Sequence, residues 1–203
     1  MYKGLEPNGG VCMRRFEYGW IQSLSWDMDI LSLIAGIYRA NGKEEVLLSQ
    51  SPAILDSLVE LAKVQSTEAS NAIEGIVTTS TRLRQLVADK TTPRNRDEQE
   101  IMGYRDALNV IHESYDSISL CGNHILQLHK ILYNYQFNAR GGQLKSVQNY
   151  ISVTYPDGRT EVLFTPLAPY ETAEALDQIC AEYNRVVGNG EVEPLLAIPI
   201  FIH

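Results

Sequence analysis

Residues 51–75 read SPAILDSLVELAKVQSTEASNAIEG, and this stretch sets the class of the fold. Ser51 before Pro52 is a cap followed by proline at the first helical position, where its missing N–H leaves no bond unmade. Leu55, Leu58, Leu61, Ala62 and Ala69 keep a helical period and put their apolar atoms on one face. Gly75 stands where a glycine in the left-handed region ends a helix. The spacing predicts one helix of about six turns at 3.6 residues per turn.

Helical periods continue on both sides. Upstream, Trp26, Ile30, Leu33, Ile34 and Ile37 trace one helix face, with Ser25 as its expected N-cap and Asn41-Gly42 as its expected stop. Downstream, Thr78 to Thr81 offer caps for a short helix from Arg82 to about Ala88. Asp89 to Arg96, polar and interrupted by Pro93, reads as a connection and as the best internal boundary. Asp97, Glu98 and Glu100 suit the positive end of the next helix, which carries Ile101, Tyr104, Leu108, Ile111 and Tyr115. Another helix follows through Ile125, Leu128, His129 and Leu132.

After Gly141-Gly142 the pattern changes. Tyr150–Tyr155 and Glu161–Thr165 are rich in β-branched and aromatic residues and flank Pro156-Asp157-Gly158, which predicts a hairpin. Leu176, Ile179, Cys180, Tyr183 and Val187 restore the helical period up to Gly188-Asn189-Gly190. Pro194 opens a last, strongly apolar helix that reaches His203, and the expectation is a fragment cut in mid-helix. The expected fold is mostly α with one hairpin.

The 203 residues include 17 Lys+Arg against 25 Asp+Glu, a net charge of -8, with 44% hydrophobic and 21% charged residues. That is enough apolar material for a real core, and the acidic balance argues against a nucleic-acid coat or a polybasic membrane anchor. No apolar run reaches the roughly 18 residues of a membrane span, and no signal-peptide layout opens the chain. Cys12, Cys121 and Cys180 share no close spacing, a poor disulfide framework that suits a reducing, cytoplasmic setting. His112, His124 and His129 lack metal-site spacing, and no phosphate loop, nucleophile elbow or Cys-x-x-Cys pair is present. His129 reads as a structural histidine, and Tyr133 and Tyr135 read as packing residues.

One constellation stands out. Ser70 and Glu74 are four apart and share a face if the helix continues, so the hydroxyl would orient the carboxylate. Two readings stand side by side. One is an exposed helix end with a glycine cap. The other follows from the negative C-terminal end of a helix, where a carboxylate is badly placed unless a cation elsewhere in the fold pairs with it. The hairpin also has two readings, a structural flap over the core or a free edge for an extended peptide.

Residues 64–79 also resemble the inhibitory helix of Fic (filamentation induced by cAMP) proteins of the N-terminally inhibited class. Its Ser/Thr-x-x-x-Glu-Gly/Asn motif is matched by Ser70, Glu74 and Gly75. The order of later features agrees: the Leu128-His129 helix, the Gly141-Gly142…Lys145…Gln148 turn, Phe164-Thr165-Pro166, and the helix start at Glu193-Pro194-Leu195-Leu196. The resemblance runs from about Trp26 to His203. It implies a Fic-type helical bundle with one β-hairpin flap. An N-terminal helical region (1–95) would carry the inhibitory helix, and 96–203 would be the first part of the catalytic core.

For an intact relative the resemblance implies AMP transfer from ATP, with Mg²⁺, to a Ser, Thr or Tyr hydroxyl of a protein substrate; for this chain alone a homo-oligomer is a further expectation, since loss of the signature helix would expose a core wall. Glu74 would pair with an arginine of the catalytic signature. Val153, Thr154, Tyr155, Val162, Leu163, Phe164 and Thr165 would form the flap that aligns the target. The signature itself, His-Pro-Phe-x-x-Gly-Asn-Gly-Arg, is not in the sequence. The chain alone is therefore expected to be inactive, with no catalytic or metal-binding residue and with His203 only a helix residue. Lys145 replaces the arginine of the family's Gly-x-x-Arg turn and loses its bidentate geometry. The competing reading is a non-enzymatic, antitoxin-like module that inhibits a Fic enzyme in trans.

Overall fold

A computed structural model describes residues 18–50, 52–76, 78–88, 90–137 and 140–202; Cys12, the Ser51 cap and His203 lie outside the described residues. The chain is mostly helical with one antiparallel hairpin. In order come a 3₁₀ turn (Gly19–Ser23), α1 (Met28–Gln50), α2 (Pro52–Ile73), α3 (Ser80–Val87), α4 (Arg96–Ser114) and α5 (Gly122–Leu132). The hairpin β1 (Ile151–Thr154) and β2 (Thr160–Phe164) precedes α6 (Pro169–Gly188) and α7 (Pro194–Ile202).

Helix α2 matches the expected span, from Pro52 to the turn at Gly75, whose φ of 77° is the left-handed cap. Helix α1 corrects two expectations. Its cap is Asp27, whose carboxylate accepts from the Ile30 amide at 2.8 Å, and not Ser25. It also runs straight through Asn41-Gly42 to Gln50. A glycine stops a helix by turning left-handed, and Gly42 is not among the positive-φ glycines. The good helix formers Lys43, Glu44 and Glu45 carry the helix on.

The next helices open on their caps. Helix α3 starts at Ser80, ahead of the expected Arg82, because the Thr79 side chain accepts from the Arg82 amide at 3.3 Å. Asn95 does the same for the Glu98 amide of α4 at 2.9 Å. Helix α6 begins at Pro169, with the Glu171 carboxylate reaching back to the Ala168 amide at 3.0 Å.

Two apolar clusters hold these elements. Tyr18 and Ile21 pack with Val186, Val192 and Ala197 at the α6–α7 end, flanked by Trp26, Tyr183 and Leu196. Leu83, Leu86 and Val87 of α3 pack with Ile101 and Met102 of α4, backed by Val64, Ile76 and Tyr135. Residues before and after the 95/96 boundary thus share one core. Cys180 is a buried free thiol whose pKa is raised by that burial, and Cys121 is a half-buried free thiol.

Polar staples complete the second cluster. The Arg82 guanidinium gives Nε to Glu98 Oε1 at 2.9 Å and Nη2 to Glu98 Oε2 at 2.8 Å, and it also bonds the Thr91 hydroxyl and the Thr92 carbonyl. Glu98 Oε2 accepts the Arg94 amide at 2.7 Å, so one buried pair pins the 90–95 connection. Arg105, buried, donates to the Leu86 carbonyl at 2.7 Å and to the Tyr135 hydroxyl at 3.1 Å, while that hydroxyl donates to Asp106 at 2.7 Å.

Helix α4 meets the end of α5 at a buried glycine. A Cβ on Gly103 would stand 2.7 Å from the Leu132 carbonyl carbon, backbone that cannot swing aside. We expect Gly103→Ala to cost about 1–3 kcal/mol in a denaturant titration, since the helices must part to admit the methyl. The Arg82 hydrogen bonds hold the Glu98 carboxyl at about 2, below its ordinary 4.5, against the opposing effect of burial. Its contribution to stability is whole above the unfolded value and fades as pH falls through about 2. Acid titration of Glu98→Gln should show a shallower loss of stability in that window than the wild type.

Candidate functional site

The last two turns of α2 are built from small polar residues. Thr67 and Asn71 face inward and are buried. Their bonds stay within the helix: the Thr67 hydroxyl donates to the Lys63 carbonyl at 2.7 Å, and Asn71 Nδ2 donates to the Thr67 carbonyl at 2.8 Å. Ser66 and Ser70, one turn apart, face α4. Their hydroxyls lie 3.3 and 2.8 Å from the Tyr104 hydroxyl. The Asn71 carbonyl then accepts the amides of Glu74 at 3.1 Å and Ile76 at 2.9 Å, and Gly75 closes the turn.

This geometry corrects the expected Ser70–Glu74 pairing. Helix α2 ends at Ile73, so Glu74 sits in the turn, and the Ser70 hydroxyl is engaged by Tyr104. The Glu74 side chain is exposed at the rim of a cleft of about 530 Å³. Ser70, Asn71, Glu74 and Ile76 form one wall, Glu100 and Tyr104 of α4 the second, and Leu132, Tyr133 and Gln136 the third.

The cleft is electrostatically one-sided. Two carboxylates, Glu74 and Glu100, face it, and its described lining contains no Lys, Arg or His. Arg96 reaches Glu100 through Nε at 2.9 Å. Glu74 adds its charge to the partial negative charge at the C-terminal end of α2. Gln136 Nε2 is buried and has no hydrogen-bond partner among the described residues. The two carboxylates are acceptors that suit a guanidinium or ammonium group, whereas the Gln136 amide nitrogen is a donor. A nucleotide triphosphate would meet like charge, and no cluster of three metal-ligating side chains occurs among the described residues. The lining of this cleft therefore does not suit a polyphosphate.

Near the cleft, His129 is a structural residue. Its Nδ1 accepts the Gly142 amide at 2.9 Å, and its ring packs edge-on against Tyr133 with centroids 4.9 Å apart. That bond folds the loop after α5 back onto the helix. Gly142, at φ 74°, leaves no room for a side chain, because a Cβ would stand 2.8 Å from Lys130 Cβ. Gln148 Nε2 donates to the Pro166 carbonyl at 3.0 Å and closes the base of the hairpin. Lys145 donates to Asn149 at 2.9 Å.

In the hairpin Ser152 pairs with Val162, Val153 with Glu161 and Thr154 with Thr160, with a register irregularity between Ile151 and Ser152. The turn is Tyr155–Arg159, with Gly158 at φ 81°. Of the expected flap residues, Val153 and Tyr155 are half-buried, whereas Thr154, Val162, Leu163, Phe164 and Thr165 are exposed. None of them lines the cleft. The structure thus brings Ser70 and Glu74 to one cleft and sets the flap apart from it.

Tyr104, Glu100 and Gln136 were not legible as site residues. Tyr104 read only as one position of an apolar face. The available signal was the Ser66/Ser70 pair, two hydroxyls one turn apart that need a polar group on the facing helix. No protein-family model matches this chain, and no curated protein matches it.

Because Gly75 holds φ 77° in open space, substitution there tests conformation without a clash. Gly75→Ala should cost roughly 1–2 kcal/mol by denaturant titration, and Gly75→Asn less, since asparagine visits this region more readily.

Proposed function

We propose that this chain carries the inhibitory helix of a Fic-class protein AMP-transferase. In this reading Glu74 is an off switch that captures an arginine of the catalytic signature. The observation that carries it is the placement of Glu74. An exposed carboxylate stands one residue past the end of α2, at the rim of a cleft with a second carboxylate and no described cation in its lining.

The chemistry is direct. A guanidinium offers a planar fork that matches a carboxylate through two parallel hydrogen bonds. An arginine so held is withdrawn from any phosphate it would otherwise stabilise. The acidic cleft suits this role, since it attracts the cation and repels the phosphates. ATP and Mg²⁺ belong, in this reading, to the glycine-rich signature and not to the residues described above. The hairpin supports a second part of the same proposal. As a two-stranded sheet it leaves edges on which an extended segment of a protein substrate can add by backbone hydrogen bonds. A cytoplasmic setting belongs to the proposal as well; among the described residues no helix is long and apolar enough to cross a membrane.

The test is transfer of labelled AMP from ATP to protein acceptors by the full-length natural protein, wild type against Glu74→Gly. Glu74 is exposed, so circular dichroism should show an unchanged fold. A rise in transfer of about tenfold or more is expected, the scale of one charge-assisted hydrogen-bonded pair. Equal transfer by the two proteins overturns the reading.

A further inference from the structure

We infer that Tyr104 is a positioning residue: its hydroxyl, held between Ser66 and Ser70, fixes where the Glu74 turn stands over the cleft. The functional consequence rests on the inhibitory reading of Glu74, but the geometry does not. The inward-facing polar residues of this part of α2, Thr67 and Asn71, bond only to carbonyls of their own helix among the described contacts. Their hydrogen bonds stiffen α2 without tying it to another helix. Beside the apolar packing of Val64 and Ile76, the polar tie across this contact is Tyr104, which crosses from α4 to both serines, at 2.8 Å from Ser70 and 3.3 Å from Ser66.

From there the fixed positions run in sequence. Ser70 is followed by Asn71, whose carbonyl accepts the Glu74 and Ile76 amides, and Ile76 packs against the α3–α4 cluster. Tyr104 also lies four residues after Glu100, so the two share the face of α4 that lines the cleft. The element that carries the second carboxylate therefore also locates the first. A phenol suits this task. Its rigid ring fills the interhelical space while its single oxygen both donates and accepts, serving two hydroxyls at once.

Removing the oxygen while keeping the ring separates position from packing. In the full-length protein, Tyr104→Phe should speed hydrogen exchange at the amides of Glu74, Gly75 and Ile76 about fivefold, the size of one lost neutral hydrogen bond. Exchange at Leu86 and Ile101 should stay unchanged. Ser70→Ala should produce the same acceleration, and the double variant should add little to either, as expected of partners in one contact. Unchanged exchange at the turn, or fully additive effects, overturns the inference.

The AMP-transfer assay gives a readout that simple destabilisation would move the other way. Tyr104→Phe should raise transfer part of the distance reached by Glu74→Gly, and Tyr104→Ala, which also removes the ring, should lose activity with stability. If Glu74→Gly activates and Tyr104→Phe does not, the positioning role is overturned and the switch stands. If Glu74→Gly is silent, the switch falls, and the exchange data still decide the role of Tyr104.

Discussion

The Arg82–Glu98 pair is the constraint on which the arrangement of helices depends. Both side chains are withdrawn from water, and charges so placed persist only when their hydrogen-bonding capacity is met. Arg82 meets Glu98 with two nitrogens and gives further bonds to Thr91 and the Thr92 carbonyl. Satisfying one guanidinium therefore dictates the path of the whole 90–95 connection. It also locks α3 to the first turn of α4, and with them the apolar cluster that supports Ile76 at the end of α2.

Helix α4 is the hub that results. Its N-terminal turn holds Arg82, and its middle gives Gly103 to the close crossing with α5. Arg105 reaches back to the last turn of α3, and Tyr104 reaches α2. Three of these roles fall on the consecutive residues Gly103, Tyr104 and Arg105, because a helix turns 100° per residue and so addresses a different neighbour each time. The acidic cleft is the space left where α2, α4 and the end of α5 converge. Its negative character has a reason of position: Arg96 pairs with Glu100, but Glu74 stands past the helix end, where the backbone adds negative potential.

Much of this was legible in the residues. The span of α2, its proline start and its glycine end, the hairpin with its Pro156-Asp157-Gly158 turn, and the final helix at Pro194 all follow from local rules. Those rules act through a residue's own backbone preferences. Where the structure departs from these rules, the cause is local too. Gly42 carries the residue type of a stop signal, yet nothing nearby rewards a left-handed turn, and strong helix formers follow it. Ser25 was passed over because Asp27, two residues on, caps with a charge. Ser70 and Glu74 do line one cleft, but the Ser70 hydroxyl meets Tyr104 on the facing helix, a partner no local spacing announces.

By itself the sequence determined the helical class, the single hairpin, the end of α2 at Gly75 and the carboxylate placed beside it. Each depends on interactions within a few residues along the chain. Only the tertiary structure decided the partners: Tyr104 for Ser66 and Ser70, Glu98 for Arg82, Leu132 for Gly103, and Glu100 as the second acid of the cleft. These groups lie 16 to 38 residues apart along the chain where a hydrogen bond joins them. No periodicity or turn rule spans that distance, because it is the packing of helices that brings such groups within a hydrogen bond.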